Sequence, residues 1–117
     1  MPHARRRFGN RAEKQAEQFL RKLGCTILKR QFQTRFGEID LIVRDGDEIV
    51  FVEVKARTSS AFGYPEESVT PDKLRKIALV GEQFLLSKGW EAVPFRIDVV
   101  AIEENNQKNN ITHYKAV

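Results

Sequence analysis

Residues 37–55, GEIDLIVRDGDEIVFVEVK, hold two alternating segments around an Asp-Gly pair, and few arrangements other than an antiparallel hairpin satisfy that pattern. In Glu38 to Val43, Ile39, Leu41 and Val43 fall on one face, while Glu38, Asp40 and Ile42 fall on the other. In Ile49 to Arg57, Val50, Val52 and Val54 alternate with Phe51, Glu53 and Lys55. The turn length decides what meets across the hairpin. A two-residue turn at Asp45-Gly46 sets Asp40 opposite Phe51, with Glu53 its diagonal neighbour. A four-residue loop over 45–48 pairs Arg44 with Ile49 and sets Asp40 opposite Glu53. Both even-numbered loops bring two carboxylates and an ammonium to one side, whereas an odd loop without a bulge separates them.

The flanking segments complete an α/β pattern. Residues 1–8 read as a flexible basic arm, followed by a domain over 9–117. From Gly9 to about Leu23, residues Ala12, Ala16, Phe19, Leu20 and Leu23 recur at helical spacing, and Gly24 stands at the C-cap. Residues 25–33 predict a first strand. Residues 58–68 have no periodicity and read as a mobile loop. Thr70-Pro71 starts a helix that runs to about Lys88, with Leu74, Ile77, Ala78, Gly81 and Leu85 inward. Phe95 to Ile102 predicts a fourth strand, and Ile111 to Ala116 a returning edge strand. The order is helix, three strands, helix, strand, which predicts a small α/β domain with a mixed sheet.

Close carboxylates repel unless a proton or a cation stands between them. Asp40 and Glu53 therefore form a candidate site for Mg²⁺ or Mn²⁺, hard ions that take few protein carboxylates and keep waters for a substrate phosphate. Lys55 adds a cation able to hold an attacking water or to stabilise a pentacovalent phosphate. In an arbitrary protein such a trio is a solvent-facing ion pair. Here it lies among Ile39, Leu41, Val50, Val52 and Val54, where free carboxylates are uncommon. Glu13, at the edge of the first helix's apolar stripe, can reach the same side of the sheet; Glu17 lies farther round and reads as solvent-exposed.

These residues resemble a known family. Gly9, Glu13 and Ala16, then Gly37-Glu38-Ile39-Asp40-Leu41-Ile42, then Phe51-Val52-Glu53-Val54-Lys55 follow the pattern of the YraN-like proteins, small bacterial predicted endonucleases distantly similar to archaeal Holliday junction resolvases. The likeness continues through Arg57, Phe62-Gly63, Val69, Lys73 and Arg96-x-Asp98-Val99-Val100, with Gln31-Phe32 standing where members usually carry an Asn and an aromatic residue. The resemblance implies a restriction-endonuclease-like core and a metal site of Glu13, Asp40, Glu53 and Lys55. It also implies Mg²⁺-dependent hydrolysis of DNA, including branched or structured DNA. Two-strand cleavage of that kind would need two active sites and hence a homodimer.

Composition permits this partner. The formal charge is +4, and basic residues cluster at Arg5-Arg6-Arg7 with Arg11, at Lys29-Arg30 with Arg35, and at Lys73, Arg75 and Lys76. Such clusters neutralise phosphates and release counterions, so Arg11, Arg35, Arg57 and Lys73 are candidate DNA contacts. Lys73 falls near the third position of its helix, where the macrodipole disfavours a cation and a phosphate would favour one. No apolar run nears the roughly 18 residues of a membrane span, and the basic N-terminus lacks a secretory apolar region, so a cytoplasmic protein is expected. Cys25 is the only cysteine and reads as a small buried hydrophobe, which argues against zinc and thiol redox chemistry. Asp98 reads as structural, Trp90 as a core-edge anchor, and His3 and His113 as lacking ligand partners. A non-catalytic nucleic-acid-binding or adaptor protein on the same fold is the alternative, as is a basic surface for an acidic protein.

Overall fold

A computed structural model describes the backbone of residues 2–57, 69–105 and 108–117, and the side chains of 11–57, 69–104 and 109–117. The elements run α1 (Pro2–Lys22), β1 (Thr26–Thr34), β2 (Gly37–Asp45), β3 (Glu48–Arg57), α2 (Pro71–Lys88), β4 (Phe95–Asn105) and β5 (Lys108–Tyr114). The five strands form one mixed sheet in the order β1-β2-β3-β4-β5. β3 and β4 are parallel, joined by the α2 crossover, and the other pairs are antiparallel. This α/β topology is consistent with a restriction-endonuclease-like core.

Each helix covers one face. Ala12, Ala16 and Leu20 of α1 pack with Leu41, Val43, Val50, Val52, Val100 and Ile102. Ile77, Val80, Phe84 and Leu85 of α2 pack with Ile39, Ile42, Ile49 and Phe51 on the other face. Strand β3 is buried from Ile49 to Glu53, as expected of a central strand covered on both sides.

Local chemistry sets the helix ends. Gly24 (φ 95°) closes α1: its N–H donates to Arg21 O, and the Cys25 N–H donates to Leu20 O. These bonds make a Schellman motif, and Cys25 lies buried against the same core as Leu20. Thr70 caps α2 by accepting from Lys73 N at 3.2 Å, with Pro71 at the first helical position.

The structure differs from the sequence pattern in several places. Helix α1 begins at Pro2, so residues 2–8, read as a flexible arm, have helical backbone. No breaker other than Gly9 separates them from the stripe, and Pro is tolerated in a first turn. Leu23, assigned to the stripe, is exposed, because the chain leaves the helix at Gly24. Val80 and Phe84 join the inward side of α2. Ile39 packs against α2 rather than sharing a face with Leu41 and Val43, so the period of two breaks next to Asp40. The expected mobile loop 58–68, which contains the Phe62-Gly63 pair, lies outside the described residues.

Gly81 rests on the buried Phe51 ring. A Cβ built there would stand inside the van der Waals envelope of that ring. Helix propensity favours Ala over Gly by about 1 kcal/mol, yet an extra carbon in a filled core costs about 1–3 kcal/mol. Gly81→Ala is therefore expected to lower the urea midpoint; a raised midpoint would show that Phe51 moves freely.

Candidate metal and phosphate site

The β2–β3 turn takes the register of the longer loop. Arg44 pairs with Ile49, Asp45 with Glu48, and Leu41 with Val52. Gly46, at φ 62°, adopts a left-handed conformation that favours glycine in the remaining two-residue connection. One step further along the ladder, Asp40 and Glu53 would face each other. The ladder ends there instead, and Asp40 Oδ2 accepts a hydrogen bond from Val54 N at 2.8 Å. The carboxylate thus replaces a backbone acceptor at the point where β2 changes phase. On the neighbouring strand, Gln31 adopts a left-handed φ of 50° between Arg30–Leu41 and Phe32–Ile39 pairs. Both strands are irregular at the same level, and that irregularity brings Asp40 beside Glu53.

Glu53 is buried at 8% exposure, one of two buried polar or charged side chains among the described residues. Its Oε1 lies 3.0 Å from Lys73 Nζ and 3.6 Å from Lys55 Nζ. Lys73 comes from the first turn of α2, fixed by the Thr70 cap. Lys55 shares the α2 face with Glu53 by strand alternation.

The electrostatics fit a site short of positive charge at Asp40. Burial, and then the negative charge of Glu53, raise the Asp40 carboxyl to about 7; the Val54 N–H offsets part of this, while Glu13 and Glu38 add to it. Burial, and then Lys73, pull Lys55 below the usual lysine value. For Lys73, burial is outweighed by its contacts with Lys55 and Glu53, so its value is raised.

Glu13 stands on α1, whose Ala12 and Ala16 pack against the sheet. Its carboxylate accepts from Gln31 Nε2 at 2.9 Å. It reaches Asp40 as a nearby charge. Glu17, expected in solvent, is tied to Arg30 Nε at 2.9 Å and to Arg21. A cleft of about 510 Å³ opens beside Glu13, Gln31 and Arg30.

The other candidate contacts lie on different elements. Arg57 ends β3 just beyond Lys55. Arg35 lies in the β1–β2 turn with its guanidinium 4.9 Å from the Phe36 ring centroid. Arg11 is exposed on α1. The side chains of Arg5, Arg6 and Arg7 lie outside the described residues.

A second polar cluster is only partly legible in the sequence. Asp98 is fully buried and accepts from Arg96 Nε at 3.0 Å, Ala116 N at 3.0 Å and His113 Nε2 at 2.8 Å. His113, which the sequence left without a partner, is thus engaged; the pairing needs β5 to lie beside β4. Arg96 also reaches Glu48 at 2.7 Å and Asp45 at 2.9 Å, tying the β2–β3 turn to β4. Cys25 is a buried free thiol, as expected. Trp90 packs at the edge of the α2 core, its ring 6.0 Å from that of Phe84.

The fold is a small α/β domain with a five-stranded mixed sheet between two helices, consistent with a nuclease-like fold. Residues 12–102 match the model of Uncharacterised protein family UPF0102, and the chain belongs to that family, the YraN family. A UPF0102 protein of Caldicellulosiruptor saccharolyticus is 43% identical over 101 residues, covering 86% of each chain. One from Pelotomaculum thermopropionicum is 38% identical over 117 residues, covering 98% of each. One from Syntrophomonas wolfei is 44% identical over 108 residues, covering 92% of this chain and 94% of the relative.

Proposed function

We propose that the protein is a metal-dependent DNA endonuclease that hydrolyses phosphodiester bonds. The observation that carries this reading is the partly buried Asp40 acting on the buried Glu53 at the broken end of the β2–β3 ladder, with Lys55 and Lys73 converging on one Glu53 oxygen.

The donor set fits a small hard cation. Among the described residues no group of three His, Cys, Asp or Glu side chains is gathered closely enough to cage an ion. Two carboxylates suffice for Mg²⁺ or Mn²⁺, because these ions complete their coordination with water and substrate phosphate. Asp40 and Glu53 would hold the ion, and Glu13 would add negative charge beside Asp40. Such an ion, when bound, lowers the pKa of a bound water and polarises the scissile phosphate. Lys55 would orient the attacking water and stabilise the charge that grows on the phosphate oxygens. Arg11, Arg35 and Arg57 would contact backbone phosphates, which carry position rather than sequence. The net charge of +4 supports a polyanionic partner. No helix among the described residues is long and apolar enough to cross a membrane, and a cytoplasmic location fits this role.

Linear, nicked, flapped and four-way DNA incubated with Mg²⁺ or Mn²⁺ tests the reading. Product is expected with either ion and none after chelation, with branched substrates preferred if the likeness to resolvases extends to substrate. Salt-sensitive DNA binding that survives chelation, without product on any substrate, would replace the nuclease reading with that of a binding or adaptor protein.

A further inference from the structure

We infer that Lys73 is an exchangeable counter-cation: it holds Glu53 in the metal-free protein and passes to a DNA phosphate when a divalent ion binds. This rests on the metal-nuclease reading and adds to it a coupling between ion and nucleic acid. Glu53 Oε1 carries two ammonium contacts, from Lys73 at 3.0 Å and from Lys55 at 3.6 Å. A divalent ion ligated by Glu53 repels both ammonium groups and competes for the same oxygen.

The two lysines are not equally free to yield. Lys55 projects from the central strand, and its side chain is 24% exposed. Lys73 stands in the first turn of α2, and its side chain is 36% exposed. Its backbone N–H is already satisfied by Thr70, so leaving Glu53 disturbs no helix bond. The positive end of the α2 dipole disfavours a cation at that position. Glu53 offsets this cost before metal entry, and a phosphate would offset it afterwards.

Charge counting gives the same order of events. With Asp40 ionised, the two carboxylates and two lysines sum to zero. A divalent ion raises the centre to two positive charges, which demands anions, and the flexible Lys73 stem can follow them outward. The metal-free site is thus closed by its own lysine, and loading the ion converts that lysine into a phosphate ligand.

The test compares wild type, Lys73→Met and Lys73→Arg, each checked for folding by urea unfolding. Mn²⁺ affinity is measured calorimetrically on DNA-free protein, and duplex affinity is measured against salt concentration in Ca²⁺. Removing the competing cation is expected to tighten Mn²⁺ binding by roughly threefold or more. The same Lys73→Met change should weaken duplex binding and lower its salt slope by about one. Lys73→Arg should keep the wild-type slope. A Lys73 with a merely structural role would lower both affinities or neither. Wild-type Mn²⁺ binding that is unchanged or weakened in Lys73→Met overturns the exchange and leaves the metal site standing. Tighter Mn²⁺ binding with an unchanged salt slope overturns the transfer to phosphate. Failure of every variant, wild type included, to bind Mn²⁺ overturns the exchange together with the metal-site reading.

Discussion

Asp40→Asn is expected to remove Mg²⁺-dependent cleavage and, in the same protein, to raise metal-free stability above pH 7. The loss of cleavage should be roughly two to three orders of magnitude, the scale on which one preorganised charged group acts in a water-poor site. The gain in stability follows from linkage. Asp40 titrates at about 7 in the folded chain against an ordinary value of 3.8, chiefly because partial burial and then the charge of Glu53 disfavour its ionised form. Between those values the native state holds more protons than the unfolded state, so stability falls as pH rises through the window. Above pH 7 the ionised carboxylate costs on the order of 2–4 kcal/mol, at about 1.4 kcal/mol per pH unit. Asn keeps an oxygen that can accept from Val54 N and carries no charge, so the penalty disappears. Urea unfolding at pH 5 and pH 8 checks the sign: the advantage of Asp40→Asn should grow with pH. Equal stability at pH 8 would mean that Asp40 is not held against an uncompensated negative charge. Glu53→Gln should also abolish cleavage, but without the gain, since it gives up the charge that both lysines share. On the proposed reading, cleavage by the wild-type protein should fall below pH 7 at limiting Mg²⁺, where protons compete for Asp40.

The second large effect lies at the other polar cluster. Arg96→Met should destabilise the fold by about 3–5 kcal/mol, the cost of removing one partner from a buried ion pair. Arg96 binds Asp98, Glu48 and Asp45, and Asp98 is fully buried. Although burial opposes ionisation, bonds from Arg96, Ala116 and His113 hold the Asp98 carboxyl below its ordinary value. Asp98 therefore contributes stability above the unfolded-state value near 3.8, and this is lost as pH falls through the folded one. Arg96→Met should flatten that acid limb. Adding Asp98→Asn to Arg96→Met should recover part of the loss, because the orphaned charge is then gone. A loss below about 1 kcal/mol in the single variant would show that the cluster contributes little. Asp98 faces α1 with Val100 and Ile102, away from Glu53 and Lys55, so cleavage by the folded fraction should persist.

The features written in neighbouring residues are legible in the amino-acid sequence. Alternation over Leu41–Val43 and Ile49–Arg57, the Asp-Gly turn, the Thr70-Pro71 start and Gly24 each depend on a few bonds within one turn or hairpin. The even-numbered connection that unites Asp40 with Glu53 is one of two legible registers, and the observed pairing of Arg44 with Ile49 selects it. Other features of the two polar clusters depend on distant contacts. The phase break that sends Ile39 toward α2 needs the irregular Gln31 of β1 and an α2 core to receive it. Glu13 meets Gln31 because α1 packs beside β1, and a helix stripe does not say which strand it will lie against. Lys73 reaches Glu53 only because the β3–α2–β4 crossover returns the first turn of α2 over the end of β3, and His113 reaches Asp98 only because β5 closes on β4. Periodicity and turn chemistry are short-range, so the local pattern of residues suffices for the strands, the caps and the acids on the hairpin. Which lysine and which helix meet those acids follows from contacts between residues far apart in the chain, and these exist only in the folded molecule.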